Sequence, residues 1–425
     1  MGVGCRMDRT LSRQPARYAT TAIIGAMFFV FGFVTWLNGP LIAFVRLAFR
    51  LNDISAFMVP MVFYMSYFFL ALPSAAILRR TGMKRGMVLG LIVMALGATL
   101  FGQFAAQRIF PLTLGGLFVI GAGLALLQTA VNPYVSIVGP IESAAQRIAV
   151  MGICNKVAGI LAPLVLGALV LRGIGDIDAQ VAAASSEQAR AAILDTFAAK
   201  TYWPYLGMAA LLVALAVAVA RSPLPELRPA EQADTGDLGG LLAHRHLWLG
   251  VLCLFLYVGV EVMAGDAIGS YGRALGLPLE QTASFTSYTL LGMLLGYLAG
   301  LVLIPRYVSQ QTYLSFSALL AVVLVTGAFL TRGYVSIGFV AALGFANAMM
   351  WPAIFPLAVR DLGRHTETGS AMMIMAICGG AVLPQLFAVL KAHYPFQTVF
   401  LVIMVPAYLY IAFFGALGSR VRSAP

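Results

Sequence analysis

A small set of polar side chains lies inside long apolar segments, and any chemistry must be built from them. Gln128 and Asn132 stand four residues apart in Gln128-Thr129-Ala130-Val131-Asn132-Pro133, so a helix puts both amides on one face. Asn347 and Trp351 have the same spacing, just ahead of Pro352 and Pro356. Trp36-Leu37-Asn38-Gly39-Pro40 sets an indole and an amide at an interruption. A proline there frees backbone carbonyls that must be satisfied by a cavity or by neighbouring helices. Carboxamides both donate and accept, and an indole face stacks on the C–H face of a pyranose. Trp36, Asn38, Gln128, Asn132, Asn347 and Trp351 therefore suit a neutral, hydroxyl-rich solute. The competing interpretation is interhelical polar bonding, which averages about 0.6 kcal/mol per contact.

Charge in these segments is rarer. Asn155-Lys156 lies between Gly152 and Gly159, and Glu261 follows Tyr257 by one turn. A lysine at membrane depth needs an anionic partner, a cluster of acceptors or a water-filled cavity. Lys156 either borders a solute or forms a structural salt bridge. Glu261 can bind Na⁺, exchange a proton or pair with Lys156, and the sequence leaves all three open. Asp266 is expected near the outer end of its helix, in solvent. Cys154, Cys253 and Cys378 read as buried thiols, and His244, His246, His365 and His393 lie in or beside loops. With no nucleophile–base pair, metal cluster or phosphate loop, neither an enzyme nor a resident cofactor is expected. The sole bound ion foreseen is a coupling Na⁺ or H⁺.

The elements that hold these residues follow from composition. Apolar residues make up 61% of the chain and charged residues 10%, against roughly a quarter charged in soluble domains. Lipid is the solvent implied, and long unbroken apolar runs select helices over a barrel. A span needs roughly 20 apolar residues. That rule predicts helices at 20–44, 56–78, 86–106, 110–138, 148–171 and 201–220, then 247–270, 282–305, 312–331, 334–358, 367–390 and 396–418. The first run is too long for a signal peptide and is expected to be retained. The polar stretch 172–200 has the composition of a loop with room for a short surface helix, and the Pro-rich 221–246 reads as a linker. The expected organisation is a tail (1–19), a six-helix half (20–220), the linker, a second half (247–418) and a short tail (419–425).

The net charge of +11 is carried in loops, with no basic helix face, so a nucleic-acid partner is not expected. Arg79, Arg80, Lys84 and Arg85 share one side with the N-terminal arginines, the linker and Arg420 and Arg422. The positive-inside rule then puts both termini in the cytoplasm of an inner-membrane protein surrounded by lipid, which is expected to work as a monomer.

The halves repeat. The fifth helix runs from Glu142-Ser143-Ala144 to Met151-Gly152-Ile153-Cys154, and the eleventh from Glu367-Thr368-Gly369-Ser370-Ala371 to Met375-Ala376-Ile377-Cys378. Gly379-Gly380 then aligns with Asn155-Lys156, which suggests close packing or a hinge. Two such halves make an all-α membrane protein of the major facilitator fold, with twelve transmembrane helices.

Asn38-Gly39-Pro40, Gln128-Thr-Ala-Val-Asn132-Pro133-Tyr134, Gly139-Pro140-Ile-Glu-Ser-Ala-Ala-Gln-Arg147 and Met151-Gly-Ile-Cys-Asn155-Lys156 resemble the bacterial glucose/galactose transporter family, in the fucose–proton symporter branch of the major facilitator superfamily. Tyr257-Val-Gly-Val-Glu261 and Trp351-Pro352-Ala-Ile-Phe355 through Gly379-Gly380 extend the likeness. The resemblance implies alternating access and a central hexose site contacted by Trp36, Asn38, Gln128, Asn132, Asn155, Lys156, Asn347 and Trp351. The fucose symporter pattern has Asn-Asp where this chain has Asn38-Gly39, and Glu where it has Gln128. Neither Gly39 nor Gln128 can titrate, so the expectation leans to Na⁺–hexose symport with Glu261 as the cation-coupling residue. Proton coupling, uncoupled facilitation and a membrane sugar sensor are the alternatives.

Overall fold

The computed structural model describes residues 14–137, 144–227, 244–304, 306–362 and 365–421, and these are helical with no strand. Among the described residues twelve helices are long and apolar enough to cross a membrane, so the chain is a multi-pass membrane protein. Its spans outnumber its loops in length so heavily because lipid offers the backbone no partners and each span must satisfy its own.

Eight spans are continuous: helix 2 (Met58–Thr81), helix 3 (Met83–Ala106), helix 4 (Phe110–Ile137), helix 5 (Ala144–Leu169), helix 6 (Tyr202–Arg221), helix 8 (Phe285–Leu303), helix 9 (Gln310–Leu330) and helix 12 (Phe396–Ala416). Four are broken. Helix 1 divides into Gln14–Thr35 and Asn38–Ala48. Helix 7 divides into Arg245–Gly265 and Ile268–Ala274. Helix 10 divides into Gly333–Asn347 and Met350–Val359. Helix 11 runs through a 3₁₀ turn, Ala376–Cys378, between Thr366–Met375 and Gly379–Leu390. Each break falls among the residues singled out above, where discontinuous helices border binding cavities in transporters.

The polar stretch between helices 5 and 6 holds two helices, Ile174–Ala183 and Glu187–Ala199. Ser186 caps the second by accepting from the Ala189 amide at 3.1 Å. Most of the expected linker, residues 228–243, lies outside the described residues, as does Glu142-Ser143 of the repeat. The first residues after helix 6 fold onto the helix 2–3 turn. There the Met83 amide donates to the Leu227 carbonyl at 2.8 Å, and the Lys84 amide donates to the Glu226 carboxylate at 2.9 Å. Gly82 makes that turn at φ +83°, a backbone conformation that glycine adopts without strain.

The halves meet mainly along two pairs, helix 5 on helix 8 and helix 2 on helix 11, with helix 7 also touching helix 1 near their breaks. One end of the molecule carries the linker; the other carries Asp53 and Lys391. At the Asp53 end the halves are tied. Lys391 Nζ lies 2.8 Å from an Asp53 oxygen, whose other oxygen is 3.1 Å from Arg46 Nε. The Lys391 ammonium sits between the Phe57 and Phe387 rings, 5.3 Å from each. Burial lowers its pKa, and the facing Asp53 carboxylate opposes that shift.

Candidate functional site

Between the halves lies a cavity of about 130 Å³, room for several waters. The N-terminal half supplies Trp36, Gln128, Asn132, Asn155 and Lys156, together with Tyr64 and Tyr67 of helix 2. The C-terminal half supplies Tyr257, Glu261, Tyr297 and Trp351. The wall extends toward the linker end through Gly152 and Pro352.

Lys156 and Glu261 join across the halves at 3.0 Å, with side chains 8% and 12% exposed. Of the three roles open to Glu261 on the sequence, the pair with Lys156 is the one the geometry displays. Lys156 Nζ also lies 4.7 Å from the centre of the Trp36 ring. That indole is held between two glycines. An added Cβ would lie 2.5 Å from the ring at Gly159 and 2.3 Å from it at Gly265. Glycine is thus required on both sides, in helix 5 of one half and helix 7 of the other.

Gln128 reaches the cavity while donating to the Tyr67 hydroxyl at 3.0 Å. One carboxamide oxygen therefore remains to accept, and its second N–H to donate. Asn155 directs its amide to the Phe28 carbonyl at a long 3.5 Å. Trp351 stacks on Phe355 with ring centres 6.0 Å apart and planes at 21°. Pro352, next to it, leaves its carbonyl to the Gln310 amide at 2.7 Å.

Two expected solute contacts sit off the cavity wall. Asn38 is buried and donates to the Thr35 carbonyl at 3.0 Å, serving the break in helix 1. Asn347 is fully buried. Its side-chain oxygen accepts from the Tyr408 hydroxyl at 2.9 Å, and its backbone oxygen from Tyr257 at 3.2 Å. The four-residue spacing to Trp351 promised a shared face, but the break at Ala348–Met349 changes the helical phase between them. Both asparagines serve as interhelical or helix-break bonds.

Asp266 corrects a further expectation. It is 2% exposed and lies at the break in helix 7, with Ile268–Ala274 continuing beyond it, so it is neither terminal nor solvated. Two hydroxyls of helix 8 secure the carbonyls before that break: Thr286 donates to Gly265 at 2.8 Å and Thr289 to Ala264 at 2.9 Å. The pocket tyrosines Tyr64, Tyr67 and Tyr297 were not foreseen either. In an aromatic-rich membrane chain nothing in their spacing marks them out.

Among the described residues no group of His, Cys, Asp and Glu could hold a metal ion.

A cavity between two six-helix bundles, bordered by broken helices, is the architecture of a membrane transporter. Residues 24–384 match the Major Facilitator Superfamily, and the chain belongs to that family. It is 33% identical over 415 residues to the glucose/galactose transporter of Brucella abortus, spanning 97% of this chain and 96% of that one. It is 26% identical to the L-fucose-proton symporter of Escherichia coli, over 89% of this chain and 88% of that one. Among solved structures it is similar to the transporter FucP in the outward conformation, with a TM-score of 0.74, 27% identity, and coverage of 95% and 99%.

Proposed function

We propose that this protein imports a hexose across the bacterial inner membrane by cation symport, with both termini cytoplasmic and the Asp53 end facing outward. The observation that carries this reading is the chemistry of the cavity wall. Amides of Gln128, Asn132 and Asn155 face the indole of Trp351 and the hydroxyls of Tyr64, Tyr67 and Tyr257, while Lys156 and Glu261 cancel each other's charge. Such a wall offers donors, acceptors and ring faces with no net charge, which matches a neutral sugar. Relatives named as glucose/galactose transporters support the same cargo.

The driving ion is a proton or Na⁺. Sodium at Glu261 would have to displace Lys156 from a 3.0 Å contact. One matched relative is named a proton symporter. Both observations favour the proton over the Na⁺ expected from the sequence.

The test is counterflow of labelled glucose, galactose and fucose in proteoliposomes, followed by accumulation under a Na⁺ gradient at equal pH or under a pH gradient without Na⁺. Counterflow of a hexose supports the assignment. Absence of exchange for every sugar ends it.

A further inference from the structure

One titratable group inside the bundle has no role in the cavity. Asp266 is 2% exposed, and neither carboxylate oxygen receives a hydrogen bond of ordinary geometry, although the Gly39 amide and the Tyr64 hydroxyl lie near enough to favour its charged form weakly against burial. It sits where helices 1, 2, 7 and 8 converge, on the Asp53 side of the Lys156–Glu261 pair. A Cβ on Gly39 of helix 1 would lie 3.2 Å from its Oδ1 and 2.5 Å from Thr286 Oγ1, so the carboxylate is packed against bare backbone. The hydroxyl of Thr286 is already given to the Gly265 carbonyl, and the amide of Asn38 to the Thr35 carbonyl. Of titratable groups, Tyr64 faces it from helix 2, Lys156 from helix 5, and Glu261 from its own helix, while Gly39 and Thr286 bring none. Lys156 is engaged by Glu261. An ionised carboxylate so enclosed is strongly disfavoured, whereas its neutral acid is tolerated.

We propose that Asp266 carries the coupling proton, and that the Asp53 end closes only over its protonated form. This rests on the symport reading above. With the outer end open, helices 1 and 7 part at Gly39 and Asp266, and water delivers a proton to the carboxylate. Closure then buries a neutral acid. After the sugar leaves, the proton passes to water in the cavity on the Lys156–Glu261 side. The carboxylate gains one proton from outer water and loses one to inner water, so each cycle moves one charge inward. Glu261 keeps its lysine throughout and orients the wall.

The experiment compares wild type, Asp266→Asn and Asp266→Glu in proteoliposomes. Asn mimics the protonated acid, so this variant is expected to exchange sugar in counterflow at a rate within about threefold of wild type. Under an inward pH gradient it should reach an internal-to-external sugar ratio of about one, while wild type accumulates several-fold. Asp266→Glu should still accumulate. A second measurement needs no variant. Sugar added to purified wild-type protein in weak buffer should raise the pH of the medium as protons are taken up, and no rise at saturating sugar overturns the proposal. Accumulation by Asp266→Asn under the pH gradient would overturn the proposal, as would wild-type accumulation driven by Na⁺ alone. If wild type fails even in counterflow, the transport reading falls first and takes this proposal with it.

Discussion

Helices 5 and 11 occupy equivalent places in the two halves and solve the same packing problem in opposite ways. In the N-terminal half, helix 1 comes so close to helix 5 that a Cβ on Gly32 would sit 1.9 Å from the Asn155 carbonyl oxygen. In the C-terminal half, helix 7 comes so close to helix 11 that a Cβ on Gly379 would sit 1.8 Å from the Phe255 carbonyl oxygen. The glycine has changed partners. Helix 5 needs position 155 and its neighbour for an amide and an ammonium, so helix 1 must give way. Helix 11 carries no polar group at the matching place and gives way itself, with a 3₁₀ turn just before. Starting from one repeated unit, the first half has become the amide-bearing wall and the second carries the acid, while each brings two tyrosines and an indole to the cavity.

The sharpest way to break that comparison is to empty the polar position. Lys156→Met leaves Glu261 buried and unpaired, which should cost about 3–5 kcal/mol of stability. Adding Glu261→Gln should restore most of it, as read by thermal unfolding in detergent, while transport stays lost. Recovery of transport in the double variant would make the pair a structural brace only. Next come the glycines. Gly32→Ala and Gly379→Ala should each cost about 1–3 kcal/mol through helix separation, by the same thermal assay. A large effect at one and none at the other would show that the two pairs are not reciprocal. Gln128→Ala should leave folding nearly unchanged, because it removes one bond worth about 1 kcal/mol. It should abolish sugar counterflow, and normal sugar affinity would remove helix 4 from the site. The smallest effect is expected at the outer tie. Lys391→Ala should weaken closure by about 1 kcal/mol: Arg46 still pairs the part-exposed Asp53, while the buried ammonium is lost from between the Phe57 and Phe387 rings. A higher rate of thiol labelling from the Asp53 side, at a cysteine replacing the buried Ser270, measures it.

The spans were legible because apolar length is a local property of the chain. The salt bridge was half legible. Lys156 and Glu261 were each identifiable as costly in lipid, and their pairing was one of the alternatives that cost allowed. Breaks in the helices limited the rest. Helix 1 and helix 10 showed their interruptions through Gly39-Pro40 and Pro352, yet a break also resets the rotation of everything beyond it. Asn347 and Trp351 satisfy the four-residue rule and still point apart. Asp266 was misplaced for the same reason: counting residues from Arg245 puts it near an end, and Gly265 just before it does not by itself show that Ile268–Ala274 resumes. A rule of periodicity holds only within an unbroken element.

Trp36 shows what such close packing makes measurable. Its ring, 3% exposed, rests against Gly265 of the other half, whereas Trp203 and Trp248 already face outward. Parting of the halves at the Asp53 end should expose this indole to water and move its emission to longer wavelength, read in a variant whose cavity tryptophan is replaced, Trp351→Phe. The protein thus carries its own optical gauge of the transport cycle, readable without any attached dye.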